Sequence, residues 1–266
     1  MLGGPELARD TGASPDAKMT VRLVQLTDPH LFGADAGTLR GVATLQSFAR
    51  TVAAARAAIS AADRVLLTGD LVQDDPDGYR HFPQLLADLN KPIWCIPGNH
   101  DHVAAMRRTL AATPFIFDDY ADLGAWRVIM LDSTLPNEAR GHLSAAVLTA
   151  LESWLVTAQR RPTLVCLHHH PVPMQSEWLD AVGLDNAPDF WSVLNRHAHV
   201  RAVLWGHVHQ SYDSLRKGVR LLGTPSTCSQ FLPNSADFAV DSLPPGYRTL
   251  ALHTSGELDT QVHYVP

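Results

Sequence analysis

The sequence predicts an α/β fold, and two observations carry this prediction. Apolar strand-like runs alternate with helical stretches in the first half of the chain, and residues with metal-ligand chemistry follow several of the strands. Such alternation is typical of parallel strands joined by crossover helices. The segments are a strand at 21–27, a helix at 44–61, a strand at 64–68, a helix at 79–89, a strand at 92–96 and a helix at 103–111.

The second half continues this pattern and then changes. We predict strands at 126–131, 163–167 and 200–205 and helices at 144–159 and 190–196. In the C-terminal part, short strand-like runs stand between Gly, Pro and Ser turns, at 219–222, 238–240, 249–253 and 260–264. These runs favour an antiparallel β section that closes the fold. Because no repeat or long linker marks a boundary, we expect one domain at 20–266 after a disordered N-terminal tail at 1–19.

The composition is that of an ordinary soluble enzyme. Of 266 residues, 45% are apolar and 18% are charged, and the mean hydropathy is −0.05. No run approaches the roughly 18 apolar residues of a membrane span. A formal net charge of −6 argues against nucleic acid or an anionic membrane as partner. An anionic small-molecule substrate would need local positive charge, which metal ions can supply.

The cysteines favour a reducing compartment. The chain contains Cys95, Cys166 and Cys228, an odd number without CxxC spacing. Neither a disulfide framework nor a thiolate zinc site is therefore expected. Residues 1–18 lack the apolar core of a secretory signal. We expect a cytoplasmic protein.

Five short polar motifs share one placement, directly after a predicted strand. They are Asp28-Pro29-His30, Gly69-Asp70, Gly98-Asn99-His100-Asp101, His168-His169-His170 and Gly206-His207-Val208-His209. In open α/β sheets, ligands bind outside the carboxyl ends of the strands. The motifs are far apart in sequence, but they would meet at one edge of the fold.

The residue types in these motifs suit divalent ions that prefer oxygen and nitrogen ligands. Alternate residues of an extended segment point the same way, so Asp28 and His30 could reach one ion, as could His207 and His209. The candidates outnumber the ligands of one tetrahedral ion: Asp28, His30, Asp70, Asn99, His168, His207 and His209. Two ions that share a carboxylate stabilise the attacking and leaving oxygens of an in-line displacement, which indicates phosphoester hydrolysis.

Each motif alone also has a simpler explanation. Gly-Asp pairs are common in turns, Asn99 could be an ordinary turn residue, and we expect Asp101 to cap the helix that follows it. The three successive histidines leave the register of the direct ligand open, and we choose His168 because it directly follows the strand. Cys95 and Cys166 lie in apolar strands and are expected in the core. The joint placement of the five motifs favours the metal site.

In their order D-x-H, G-D, G-N-H-D, H and G-H-x-H, the motifs resemble the calcineurin-like metallophosphoesterase superfamily. A narrower resemblance, to bacterial class III 3′,5′-cyclic AMP phosphodiesterases, covers nearly the whole chain after the N-terminal tail. It is carried by QLTDPHLFG, CIPGNHD, CLHHHPVP, LWGHVHQ, TPSTCSQF (224–231) and PPGYRTLAL (244–252). The resemblance implies a four-layer α/β/β/α sandwich with mixed sheets, in which residues 20–266 form a single catalytic domain.

The resemblance also implies roles for the candidate residues. The first metal would be held by Asp28, His30, Asp70 and His209, and the second by Asp70 as a bridge together with Asn99, His168 and His207. The substrate would be contacted by Asn99, His100, His169 and His209. His100 would act at the leaving oxygen, polarised by a nearby carboxylate such as Asp101. Iron and manganese are the expected metals, with zinc or cobalt also acceptable to this ligand set.

These roles predict hydrolysis of 3′,5′-cyclic AMP to 5′-AMP by a metal-bridging hydroxide, with proton donation from His100 to the leaving 3′-oxygen. A broader phosphodiesterase for glycerophosphodiesters, 2′,3′-cyclic nucleotides or other small diesters stays open, because no feature sets the base or alcohol preference. A catalytically silent scaffold is the alternative of a different class, although a scaffold has no need of seven ligands. A homodimer is implied by the resemblance alone.

Overall fold

The computed structural model describes residues 20–112 and 114–266, so the N-terminal tail expected at 1–19 lies outside the described residues. The strands are β1 (Val21–Leu26), β2 (Thr38–Leu39), β3 (Val42–Ala43), β4 (Arg64–Thr68), β5 (Ile93–Ile96), β6 (Phe115–Ile116), β7 (Tyr120–Leu123), β8 (Trp126–Met130), β9 (Thr163–Leu167), β10 (Val200–Trp205), β11 (Tyr212–Arg216), β12 (Val219–Gly223), β13 (Gln230–Phe231), β14 (Val240–Asp241), β15 (Gly246–Leu252) and β16 (Leu258–Tyr264). All six strands predicted between residues 21 and 205 are present.

The five predicted helices are present, the first at its predicted bounds and the others with shifted ends, and one further short helix, at Glu177–Asp180, was not predicted. The helices are α1 (Thr44–Ala61), α2 (His81–Leu86), α3 (Val103–Thr109), α4 (Ala145–Thr157), α5 (Glu177–Asp180) and α6 (Ala187–Leu194). The helix predicted at 79–89 is divided, because 3-10 turns at Pro76–Arg80 and Ala87–Leu89 flank α2. Helix α6 begins before the predicted residue 190, since Pro188 lies in its first turn, where a missing N–H costs nothing. Among the described residues, no helix is long and apolar enough to cross a membrane.

Two six-stranded mixed sheets organise the described residues. The first has the order β16-β15-β1-β4-β5-β6, and the second has the order β11-β12-β10-β9-β8-β7. In the first sheet β1, β4, β5 and β6 pair in parallel, and in the second sheet β8, β9, β10 and β12 do so. The flanking strands β15, β16, β11 and β7 pair antiparallel. The carboxyl ends of the central strands therefore lie at one edge of each sheet.

Side-chain alternation along the strands creates four layers. In β1, Leu23 packs between the two sheets against residues such as Leu164, whereas Val24 packs outward beneath α1, α2 and α3. In the second sheet, Val165 faces α4, α5 and α6 in a separate outer core. The strands at the centre are buried on both faces, which explains their continuous apolar sequence. The predicted four-layer α/β/β/α sandwich is confirmed.

The C-terminal part differs from the single antiparallel section that we predicted. Strands β15 and β16 extend the first sheet antiparallel to β1, but β12 joins the second sheet in parallel with β10. The run predicted at 238–240 forms only the two-residue strand β14, which pairs with β13. Strand direction depends on the path between strands, and the turn residues of this region do not encode that path.

A buried polar network joins the two sheets beneath the carboxyl ends of their strands. Gln25 Nε2 donates to Thr68 Oγ1 at 2.8 Å and to the Trp205 carbonyl at 3.2 Å, and the Thr224 hydroxyl donates to Gln25 Oε1. The guanidinium of Arg248 donates in turn to Thr224 Oγ1 at 3.0 Å and to the Gly223 carbonyl at 2.7 Å. Segments 224–231 and 244–252 thus connect the sheets directly below the motif residues.

Replacing Arg248 with methionine is expected to lower the free energy of unfolding by at least about 2 kcal/mol, because buried acceptors would lose their donor. Arg248 is 2% exposed, and its burial lowers its pKa to about 10, so it remains charged at neutral pH. Urea unfolding would measure the loss. Arg201→Met is the control, because Arg201 is exposed and donates only to the Gly256 carbonyl in the described structure. Equal losses in the two variants would contradict this role.

Candidate metal centre

The loops that carry the motifs adopt an unusual backbone conformation. This is the left-handed conformation, in which φ is positive. Residues other than glycine are strained there by about 1–3 kcal/mol, and such strain concentrates at functional sites. Five of the seven candidate ligands have φ between 48° and 64°: Asp28, His30, Asp70, His207 and His209. The strand ends are held together by backbone hydrogen bonds from Asp28 N to the Gly69 carbonyl and from His30 N to the Asp70 carbonyl.

One group of donor atoms converges at the end of β1. The Nε2 atoms of His30 and His209 lie 3.1 Å apart, and His209 Nε2 lies 3.3 Å from Asp28 Oδ1. His30 Nε2 also lies 3.8 Å from Asp70 Oδ2. The Asp28 carboxylate is fixed by Thr27 Oγ1 at 2.6 Å and by His207 N at 3.1 Å. These buried nitrogen and oxygen atoms are close enough together to coordinate one metal ion.

A second group lies on the other side of Asp70. His168 Nε2 is 3.4 Å from Asp70 Oδ2, 3.3 Å from Asn99 Oδ1 and 3.3 Å from His207 Nδ1. Asp70 therefore reaches donors of both groups, as a bridging carboxylate must. Ligand atoms of Asp28, Asp70 and His168 all lie within 4.8 Å of one another, so the two groups are contiguous.

The outer ring nitrogens of two histidines are occupied by backbone carbonyls. His168 Nδ1 donates to the Thr68 carbonyl at 2.8 Å, and His209 Nδ1 donates to the Ser229 carbonyl at 2.7 Å. A proton held on Nδ1 makes Nε2 the nitrogen that can bind a metal ion, as is usual for metal-binding histidines. The Ser226 hydroxyl also donates to the Asp28 carbonyl at 2.7 Å. Segment 224–231 therefore orients ligands, a role that its sequence did not indicate.

The protonation of the site suits a cation. Burial lowers the pKa of His30 to about 3 and holds that of His207 well below its usual range, so both rings are neutral at pH 7. Burial also works to lower the pKa of His168, but the Asp70 carboxylate outweighs it and raises that pKa to about 9. The lone pairs of the neutral histidine nitrogens therefore face one another in a buried space. One proton is shared between His168 and Asp70. A metal ion would replace that proton, so the donor set fits two divalent ions.

Three glycines allow the ligand loops to approach closely. A Cβ at Gly206 would overlap Thr27 Oγ1 and lie 2.7 Å from Asp28 Oδ2. A Cβ at Gly98 would overlap Asp70 Oδ1, and one at Gly69 would overlap the His168 ring. Only glycine leaves room for these contacts.

Gly206→Ala should displace the Asp28 carboxylate and reduce metal content, which elemental analysis of the purified protein would measure. Gly218→Ala is the control, because its Cβ would meet no atom of the described residues within 4 Å; its φ of 85° strains any residue other than glycine. We expect the control to lose some stability and to retain its metal. A Gly206→Ala protein with full metal content would show that the close approach is unimportant.

His100 lies beside the first donor group, and its carboxylate partner differs from the expected one. Its ring is 5.3 Å from that of His30, and its Nδ1 lies 2.9 Å from Asp74 Oδ2 and 2.9 Å from Gln73 Nε2. Gln73 Nε2 donates to the same Asp74 oxygen at 2.9 Å. Asp74, rather than Asp101, therefore faces this ring. Neither Gln73 nor Asp74 belongs to a motif, and only their position shortly after Asp70 could have suggested them.

Asp101 organises the loops instead. Its carboxylate accepts from Gly98 N at 2.9 Å, from Leu71 N at 3.1 Å and from the Tyr79 hydroxyl at 2.8 Å. Helix α3 begins at Val103 without a side-chain cap, so the prediction that Asp101 caps this helix is wrong. Burial and the charge of Asp70 raise the pKa of Asp101 to about 6. A direct catalytic role for Asp101 stays a prediction.

The three successive histidines have three environments. His168 reaches Asp70 and Asn99, whereas His169 lies fully buried with its Nδ1 2.8 Å from Ser133 Oγ. The Nε2 of His169 has no hydrogen-bond partner among the described residues, and its ring is 4.8 Å from that of His207. His170 instead lies 3.6 Å from Asp180. This arrangement favours the chosen register, although His169 could also ligate because it groups with His168 and His207. Substrate contact by His169 stays a prediction.

Two sandwiched sheets that bring paired Asp, Asn and His donors to one edge define a metallophosphoesterase. Residues 21–211 match the family model of the calcineurin-like phosphoesterases, and the chain belongs to this family. It is 40% identical to the 3′,5′-cyclic adenosine monophosphate phosphodiesterase CpdA of Vibrio vulnificus, over 95% of this chain and 93% of that protein. A cyclic-nucleotide phosphodiesterase of Nostoc is 34% identical, over 94% of each chain.

Solved structures agree with the fold. A dimetal phosphatase from Danio rerio superposes with a TM-score of 0.63 at 13% identity, covering 92% of this chain and 99% of that one. A purple acid phosphatase from yellow lupin gives a TM-score of 0.59 at 13% identity, covering 93% of this chain and 54% of that one. At these identities the similarity establishes the fold alone.

Proposed function

We propose that this protein is a dinuclear-metal phosphodiesterase that hydrolyses 3′,5′-cyclic AMP to 5′-AMP. The bridging position of Asp70 between two groups of buried donors carries the proposal for the metal centre. The similarity to CpdA proteins over 95% of the chain supports the substrate. A net charge of −6 also makes a local cationic centre necessary for binding a phosphate ester.

The proposed ligand assignment follows the two donor groups. The first ion would be held by Asp28, His30, Asp70 and His209, and the second by Asp70, Asn99, His168 and His207. Two bound ions supply an ionised water near neutral pH and neutralise the phosphate oxygens. We propose iron and manganese as the resident metals, with zinc or cobalt as the alternatives for this nitrogen and oxygen set.

The proposed proton donor to the leaving 3′-oxygen is His100. Its ring is partly exposed, with 31% of the side chain accessible, and it borders the first donor group. In the imidazolium form, Nδ1–H donates to Asp74 and fixes the ring, and Nε2–H remains to donate to the leaving oxygen. Because an alkoxide is a poor leaving group, protonation at this position lowers the barrier to P–O cleavage.

A turnover panel with metal-reconstituted protein tests the proposal. It should include 3′,5′-cyclic AMP, cyclic GMP, 2′,3′-cyclic AMP, a glycerophosphodiester and a phosphomonoester, each with product identification. The proposal predicts the highest kcat/KM for 3′,5′-cyclic AMP. A higher value for the glycerophosphodiester or the 2′,3′-cyclic nucleotide would replace it with a broader phosphodiesterase.

Two further proposals concern the cellular setting. We propose a cytoplasmic location, which is supported by three buried cysteines that form no disulfide. We also propose a homodimer, which has only the resemblance behind it. Fractionation of the native host and sedimentation of the purified protein would test these two points.

A further inference from the structure

A cavity adjoins His100. It encloses about 320 Å³ between Asp74 and residues 98–103 on one side and residues 134–137 on the other. Small-molecule pockets measure about 300–1,000 Å³, so this cavity suits one small group of nucleoside size. Its lining includes Asn99 and His100, which makes it continuous with the metal centre.

The chemistry of the leaving group points to what fills this cavity. In 3′,5′-cyclic AMP both ester oxygens belong to the ribose, so the sugar must lie beside the group that protonates the 3′-oxygen. If His100 is that group, the ribose lies next to His100 and the base extends from the sugar into adjoining space. The cavity that contains His100 supplies this space, with Leu135, Pro136 and Val103 as apolar walls.

The outer wall of the cavity is a turn at residues 134–137 that is held by hydrogen bonds and carries the side-chain amide of Asn137. Thr134 N and Oγ1 both donate to Asp132 Oδ1, at 2.9 and 2.7 Å, and Glu138 N donates to the Leu135 carbonyl at 3.3 Å. Asn137 lies within this turn with φ of 60° and lines the cavity. Its side chain makes no hydrogen bond to any other described residue. An amide offers one donor and one acceptor together, which matches the amino group and ring nitrogen of adenine.

We infer that the cavity beside His100 is the nucleoside subsite and that the Asn137 amide binds the edge of the base. This inference rests on the proposed function. The alternative surface for the base is a platform formed by Arg40 and Phe238. The Arg40 guanidinium lies 4.9 Å from the centre of the exposed Phe238 ring. Phe231 stacks on His209 at 4.0 Å and lies between that platform and the metal centre, on the side of His209 rather than His100.

Asn137→Asp tests the inference, because an ionised carboxylate accepts two hydrogen bonds and donates none. Guanine offers two donors at its N1 and N2 positions, whereas adenine offers a donor and an acceptor. Aspartate also tolerates the left-handed backbone of this turn. The ratio of kcat/KM for cyclic GMP to that for cyclic AMP should therefore rise at least about fivefold, the lower end of discrimination by one paired contact with a base.

Asn90→Asp is the matched control, because Asn90 is also exposed with φ of 51° but lies outside the cavity. Its ratio should equal that of the unaltered protein, and these two proteins should hydrolyse bis(4-nitrophenyl) phosphate, which has no base, at the same rate. An unchanged ratio in Asn137→Asp overturns the inference. A KM for cyclic AMP that rises in Phe238→Ala, which alters the alternative platform, but not in Asn137→Asp would overturn it as well. If the unaltered protein cleaves the aryl diester but not cyclic AMP, the proposed function fails and the inference with it.

Discussion

Asp70→Asn is expected to remove both metal ions and to abolish turnover. Asp70 is 2% exposed, and its Oδ2 lies 3.4 Å from His168 Nε2 and 3.8 Å from His30 Nε2, so one carboxylate serves both donor groups. Its Oδ1 accepts from His100 N at 2.9 Å. An amide has no charge to offset two cations and would present N–H groups to one of them. The loss should exceed about 100-fold, the upper range for changes beyond the direct ligands.

Elemental analysis and turnover of the purified Asp70→Asn protein would measure this effect. Asp88→Asn is the control, because Asp88 pairs with Arg56 at the surface at 2.6 Å and should leave both quantities unchanged. Two metal equivalents with normal turnover in Asp70→Asn would show that Asp70 does not bridge the ions.

His100→Ala is expected to keep both metals and to lose about 10²–10⁴-fold in kcat for cyclic AMP, the usual contribution of a positioned general acid. The ring of His100 contacts His30 and Asp74 but belongs to neither of the two ligand assignments. Bis(4-nitrophenyl) phosphate should be much less affected, because nitrophenolate leaves without a proton. Asp74→Asn should follow the same pattern with a smaller loss, since the ring would remain but lose its anionic partner.

Steady-state kinetics with the two substrates would separate this role from others. A His100→Ala protein without metal would make His100 a ligand, and equal losses on both substrates would exclude proton donation to the leaving group. Thr149→Ala is a suitable control, because Thr149 is exposed and donates to the Ala145 carbonyl within α4.

The central strands were predictable because burial on both faces gives each of them a continuous apolar run that can be recognised within a few residues. Residues 65–68 and 163–167 are buried on both faces, and the bounds of β4 and β9 agree with the prediction. The motifs were recognisable because ligand chemistry restricts residue types directly after these strands. The direction of β12 was not predictable, since it depends on how the chain returns between the two sheets.

The environment of the site residues was less accessible from the sequence. Asp74 meets His100 only because residue 74 has φ of 53°, which turns the chain after the Asp70 loop. The Ser229 carbonyl orients His209 across 20 residues of sequence, and carbonyl groups carry no residue-type signal. The position of Asp101 just before α3 predicts a helix cap, but its carboxylate accepts instead from Gly98 N and Leu71 N.

The most direct measurement of the central claim is the identity of the product formed from cyclic AMP in ¹⁸O-water by protein of known metal content. The proposed site predicts 5′-AMP with one ¹⁸O on its phosphate, at a rate that rises with loading up to two metal ions per chain and is lost on chelation. Formation of 3′-AMP, or full activity at one metal ion or none, would contradict it.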